Sequence, residues 1–336
     1  MKLILHPGHA KCGSTTIQRF LRVNRDLLFK NDVLVPDLNF RFPGERGFVV
    51  NSESPRKFFR EIMESVDLSK LVERLNFLKR SHPDKTLLIS AENLTVALAG
   101  IGKGIHSLLS DFFEDVHIVY YIRPQDTYML SSWQQWGYKS GVSLNEFCVK
   151  NNIPDYSGVV RSLKSIYSKP RIDVVPLNKN ALLGDGLISD FLKRVSFPKL
   201  DFTYSNDLAN VSLSPVLCDF LSNYNFLFKD HHENYAEDYI LRYLNDKSVF
   251  FERVDGYFNK EERLKILNSR SESNRFLHNH FFSELSFQDV FYGHLSYFDN
   301  LKLDEYEFKY QEISEALNVR RIYVYSIFSR FFSRVR

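Results

Sequence analysis

Two glycines, a lysine and three consecutive hydroxyls crowd together in HPGHAKCGSTTIQRFL, residues 6–21. Gly8 and Gly13 let the backbone turn tightly and aim its amides at an anion. Ser14, Thr15 and Thr16 add hydroxyl donors where a helix would begin. The chemistry of such a set is phosphate binding. The ATPase form of this loop, G-x-x-x-x-G-K-[ST], puts lysine after the second glycine and the next hydroxyl on magnesium. Here the glycine separation is kept, but Ser14 stands where that lysine belongs and Lys11 lies inside the loop. An ammonium placed there reaches a different part of a bound nucleotide.

Read as G-x-x-K-[TSC]-G-[TS]-[TS], the stretch Gly8, Lys11, Cys12, Gly13, Ser14, Thr15 resembles the loop of the sulfotransferases that use 3′-phosphoadenosine 5′-phosphosulfate (PAPS), with Thr16 and Gln18 continuing the bacterial pattern. Ser14 replaces the commoner threonine and keeps the hydroxyl. A second part of the resemblance is VHIVYYIRPQDTYMLSSWQQWGYKSG, residues 116–141. The family's clamp on the 3′-phosphate is an arginine at a strand end and a serine eight residues later, and Arg123 and Ser131 have that spacing. A guanidinium grips phosphate through two parallel hydrogen bonds, and the serine donates a third. Lys139 is a further candidate for this clamp. In SAEN, residues 90–93, the resemblance puts a serine and a glutamate at a strand end and makes Glu92 the first candidate for the base that takes the acceptor proton. A partly desolvated carboxylate is a better base near neutrality. His9 and His6 are the alternatives.

The resemblance implies a division of labour. Charge develops on the oxygen bridging phosphorus and sulfur as 3′,5′-adenosine bisphosphate (PAP) departs. Lys11 would neutralise it, while the amides of Cys12 to Thr15 and the hydroxyls of Ser14 and Thr15 hold the 5′-phosphate. Neither a catalytic nor a structural metal is expected. The implied acceptor is a saccharide hydroxyl of a cell-surface glycan or glycolipid. A P-loop small-molecule kinase or NTPase, and a non-catalytic nucleotide-binding protein, are the alternative readings.

These residues need elements to position them. Leu3–His6, Thr86–Ser90, His117–Ile122 and Ile172–Pro176 read as strands, separated by helical patterns such as KLVERLNFLKR (70–80) and LISDFLKRV (187–195). Such alternation predicts an α/β protein: a P-loop-containing three-layer fold with a mainly parallel central sheet flanked by helices, plus helical insertions. Ligands of such sheets bind beyond the carboxyl ends of the strands, where His6–Thr16, Glu92 and Arg123 all lie. The expected organisation is one sulfotransferase-like domain over 1–318, with helical cap elements at about 31–85 and 200–318. Fainter likenesses to the family at 210–225 and 271–282 carry no chemistry. The many Phe and Tyr of 200–318 are read mainly as core.

With 44 Lys and Arg against 41 Asp and Glu, the formal charge is +3, which gives no signal for a nucleic-acid partner. The 44% hydrophobic content suffices for a sizeable core. Charge is uneven, however. Residues 319–336, VRRIYVYSIFSRFFSRVR, hold five arginines and no acid, so removing them leaves the remainder near −2. As a helix, this segment places Val324, Phe328, Phe331 and Val335 on one side and Ser326, Ser329, Arg330 and Ser333 on the other. Such a basic amphipathic tail can make peripheral contact with an anionic membrane, or dock on its own domain or a second subunit. Three unpaired cysteines, the lack of a ~20-residue apolar run and an amino-terminal stretch without a secretory pattern point to a cytoplasmic enzyme, with the inner membrane surface as a further location. The histidines of HNH (278–280) point about 200° apart on a helix and cannot share an ion, and His231-His232 reads as a solvated loop.

Overall fold

The computed structural model describes residues 1–52, 54–96, 98–197, 200–204, 212–244, 248–252, 257–300 and 304–333. The chain clusters into two compact units. The first comprises Met1–Arg123, Asp155–Asp207 and Glu272–Val290, and the second Pro124–Pro154, Leu208–Ser271 and Phe291–Arg336.

The first unit is built on five strands, β1 (Lys2–His6), β2 (Val33–Leu34), β3 (Thr86–Ser90), β4 (Asp115–Ile122) and β5 (Arg171–Pro176). They lie in the order β2-β3-β1-β4-β5 and every pairing is parallel. Four were anticipated from β-branched and apolar runs. The fifth, β2, falls in the segment 31–85 read as helical; its two residues are too few to show a period, and pairing with Thr86 and Leu87 is what makes them a strand.

Alternation along the strands sends side chains to two cores. Leu3, Leu5, Leu87, Ile89, Val116 and Ile118 face one, shared with Phe58, Phe59 and Ile62 of helix Arg56–Ser65, with helix Ser69–Ser81 and with helix Gly100–Phe112. Ile4, Leu88, Val119, Tyr121 and Val175 face the other, shared with helices Ser14–Val23 and Leu187–Arg194. Burial on both faces explains why the strands read as continuous apolar runs and not as alternating ones. Helices therefore cover both sides of a parallel sheet.

From β1 the chain builds β2 and β3 on one side, then crosses to β4 and β5 on the other. The strand order reverses between β1 and β4. The crevice at such a reversal, beyond the carboxyl ends of the strands, is the favoured ligand position in open α/β sheets. The loops after β1 and β4 both open there.

The second unit is helical around its own core, which includes Trp133, Tyr138, Leu217, Phe250 and Phe258. Its helix starts carry local signals. Ser143 with Glu146, and Asn259 with Glu262, form capping boxes at helices Leu144–Lys150 and Lys260–Asn268. Trp133 stacks on the partly buried Tyr257 at 5.4 Å in this core.

Candidate functional site

Between β1 and helix Ser14–Val23, three residues adopt left-handed backbone: Gly8 (φ 60°), Lys11 (φ 62°) and Gly13 (φ 80°). The glycines do so without strain, whereas a β-carbon in this region costs about 1–2 kcal/mol, so Lys11 is held there by its surroundings. One restraint is direct: Arg123, just past the end of β4, donates from Nη1 to the Lys11 carbonyl at 3.0 Å. Another is the turn in which the Cys12 amide donates to the His9 carbonyl at 3.1 Å. That bond corrects one expectation, since the Cys12 amide is already committed inside the loop. The amides of Gly13, Ser14 and Thr15 make no hydrogen bond among the described residues, whereas those of Thr16 and Ile17 turn back to the Gly13 carbonyl. Three donors thus converge at a helix start, where the helix dipole also favours an anion.

The loop is packed from below and beside. A β-carbon on Gly13 would sit 2.5 Å from Leu187 Cδ2, so a larger residue there would force the Leu187 side chain to shift. Asp190 on that helix is buried and accepts from Tyr121 of β4 at 2.6 Å, the Leu183 amide at 2.7 Å and Arg194 at 2.9 Å. This network ties the helix to the sheet.

Glu92 lies two residues beyond β3 and accepts a short hydrogen bond from the Ser14 hydroxyl. A β-carbon on Gly8 would lie 3.3 Å from the Glu92 Cα, and Thr95 Oγ1 donates to the Gly8 carbonyl at 3.0 Å. The carboxylate also faces Arg56 Nη1 at 3.8 Å across a partly solvated gap, where ion pairs contribute little. Glu92 is therefore a neighbour of the loop between β1 and helix Ser14–Val23.

His9 is edge-on to Tyr156 at 5.1 Å, and its Nδ1 is 3.1 Å from the Tyr120 hydroxyl. Burial lowers its pKa to about 4. A histidine so depressed is neutral at physiological pH. His6, at the end of β1, bonds Ser90 at 2.8 Å and is fully buried, which lowers its pKa to about 3. The Cys12 thiol belongs to the core and burial pushes it up to about 12, so it is packing and not a nucleophile. Thr15 is half-buried and Thr16 exposed.

Ser131 and Lys139 lie in the second unit. Ser131 is half-buried on helix Gln125–Ser132. Lys139 is buried, with its ammonium 2.7 Å from Asn234 Oδ1 and 3.1 Å from Glu237. The role expected for it beside a phosphate gives way to an internal ion pair. Among the described residues no three His, Cys, Asp or Glu side chains form a metal-holding group. In HNH, His278 and His280 contact separate carbonyls, those of Leu285 and Phe276.

Sequence reading missed Thr95, Tyr120, Tyr156 and Leu187, which meet the loop only through long-range packing, and Arg56, which faces Glu92. The sole available signal was Gly13, whose demand for space implies a close neighbour without saying which. The chain matches no protein-family model, no curated protein and no solved structure.

Proposed function

We propose that this chain is a sulfotransferase that moves the sulfuryl group of PAPS onto a hydroxyl acceptor, a saccharide of a cell-surface glycan or glycolipid being the acceptor class. The observation that carries this reading is a lysine held in left-handed backbone inside a phosphate-type loop. Its carbonyl is gripped by the arginine that ends the neighbouring strand, at the point where strand order reverses. The uncommitted amides of Gly13, Ser14 and Thr15 suit the donor's 5′-phosphate.

In this reading the acceptor oxygen attacks sulfur while the bond from sulfur to the bridging oxygen breaks, and that oxygen keeps the electron pair as PAP leaves. Lys11 neutralises the charge developing there. Glu92 takes the acceptor's proton, with the Ser14 hydroxyl and Arg56 holding its carboxylate in place. Arg123 supplies a cation for the 3′-phosphate, the feature that separates PAPS from ATP. A kinase or NTPase would instead use a lysine at position 14.

The test is thermal stabilisation by PAP, by ATP and by ATP with magnesium, followed by transfer of labelled sulfate from PAPS to a glycan panel. Saturating PAP should stabilise the protein by about 2.7 kcal/mol at a hundredfold excess over its dissociation constant, with ATP clearly weaker. Stabilisation by ATP–magnesium alone would overturn the proposal in favour of the kinase reading. PAP binding without transfer to any acceptor would leave a nucleotide-binding protein.

A further inference from the structure

Helix Val319–Ser333 packs in the opposite sense to the usual amphipathic helix. Ile322 and Ser326 are fully buried, and Arg330 turns inward to make a two-pronged ion pair with Glu233 at 2.7 and 2.8 Å, with a further bond to the Leu227 carbonyl at 2.6 Å. Arg330 thus ties the helix to its own unit through the side that the sequence marks as polar. The apolar side faces solvent: Val324 is 50% exposed, Phe328 57%, Phe331 64% and Phe332 62%. At about 100° per residue, Val324, Ile327, Phe328 and Phe331 form one stripe, with Arg320 and the neighbouring Arg321 at its start, both exposed. Phe226 extends the patch through an edge contact with Tyr323 at 5.6 Å. Contiguous exposed aromatics of this kind mark a surface that something covers.

We infer that this face lies on an anionic phospholipid bilayer, its phenylalanines in the headgroup and acyl boundary and Arg320 and Arg321 against lipid phosphates. Charge selects this occupant. Residues 319–336 hold five arginines and no acid, and these sit toward both ends of the segment. A second copy meeting the same face with the helices parallel would bring the exposed Arg320 and Arg321 against their own counterparts. An anionic bilayer offers the complementary sign and an apolar layer at once. The geometry is that of a surface helix: fifteen residues span roughly 22 Å, short of a ~30 Å hydrocarbon core. Val335, the last member of the apolar stripe expected from the sequence, lies with Arg334 and Arg336 outside the described residues. The inference is independent of the reaction proposed above.

The experiment is co-sedimentation of the full chain with vesicles of phosphatidylcholine, with and without phosphatidylglycerol, beside light scattering of the protein without lipid. The wild type should bind the anionic vesicles only, and more weakly as salt rises. Phe328→Glu with Phe331→Glu should weaken binding about tenfold or more. Arg320→Gln with Arg321→Gln, which leaves the apolar stripe intact, should weaken it by about fivefold per charge at low salt. Circular dichroism checks that both variants are folded; should the phenylalanine pair fail to fold, the arginine pair decides. Failure of the wild type to bind, or binding indifferent to the folded variants, overturns the inference. A lipid-free dimer that the phenylalanine pair converts to monomer would do so too, assigning the face to a second copy.

Discussion

In the second unit Asp126 is fully buried, and its Oδ2 is shared by Arg263 at 2.8 Å and His294 at 2.7 Å. Burial alone would push its pKa up, but His294 and Arg263 outweigh that and hold it below the usual carboxylate range. Lys139 is likewise enclosed by Glu237 and Asn234. In the first unit, the loop around Lys11 has three left-handed residues and three amides with no hydrogen bond among the described residues, and the neighbouring Glu92 carboxylate keeps contact with solvent. Both regions concentrate charge and polarity. The difference is whether partners come from the chain itself: closed pairing stabilises, whereas open donors held by a rigid frame are available to a ligand.

The comparison can be broken by perturbing each region and asking which property falls. The largest effect expected is on stability in the closed cluster. Arg263→Met leaves the Asp126 carboxylate buried with a single partner and should lower the unfolding free energy by roughly 3–5 kcal/mol, measured by denaturant titration. Gly13→Ala combines a left-handed backbone with the Leu187 overlap and should cost roughly 2–4 kcal/mol, or else displace helix Leu187–Arg194 in a crystal structure. A neutral result would mean that the loop is looser than described.

Lys11→Ala should reduce kcat about a hundredfold, equivalent to about 2.7 kcal/mol, with the melting temperature nearly unchanged. If melting temperature fell and turnover did not, Lys11 would belong with Lys139 as scaffold. Glu92→Gln tests the same proposal by keeping an acceptor for Ser14 while removing the proposed base. Its kcat should drop with little change in KM.

Acid should act through the buried imidazoles. His6 has a folded pKa near 3 against an ordinary value of 6.5, so its contribution is fully present above about pH 6.5 and is lost as pH falls toward 3. Between pH 7.5 and pH 5 this should remove about 2 kcal/mol, with His9 adding in the same direction. In His6→Gln the decline over this range should be visibly shallower; an unchanged slope would place the titrating group elsewhere. The smallest effect belongs to Arg56→Ala. Its half-solvated pair with Glu92 should be worth under ~1 kcal/mol in stability and only a few-fold in turnover.

Four of the five strands, the parallel sheet and the loop that ends in Gly13 were legible in the sequence, because apolar runs, glycine and hydroxyl residues act locally on the backbone. Such signals specify elements and the ends of elements. They also drew attention to Lys11, Glu92 and Arg123, which follow the carboxyl ends of the three central strands. Whether a charged residue is enclosed or open depends on what long-range packing places beside it, and no pattern in the chain reports that. Lys139 reads like any solvated lysine until Glu237 and Asn234 close over it. The helix Val319–Ser333 has a polar and an apolar stripe by sequence alone, yet the fold buries Ile322 and turns Arg330 inward onto Glu233 and the Leu227 carbonyl. Composition and local pattern thus sufficed for the strands, the turns and the candidate groups. Pairing and desolvation are properties of neighbours in space, so only the fold reports them.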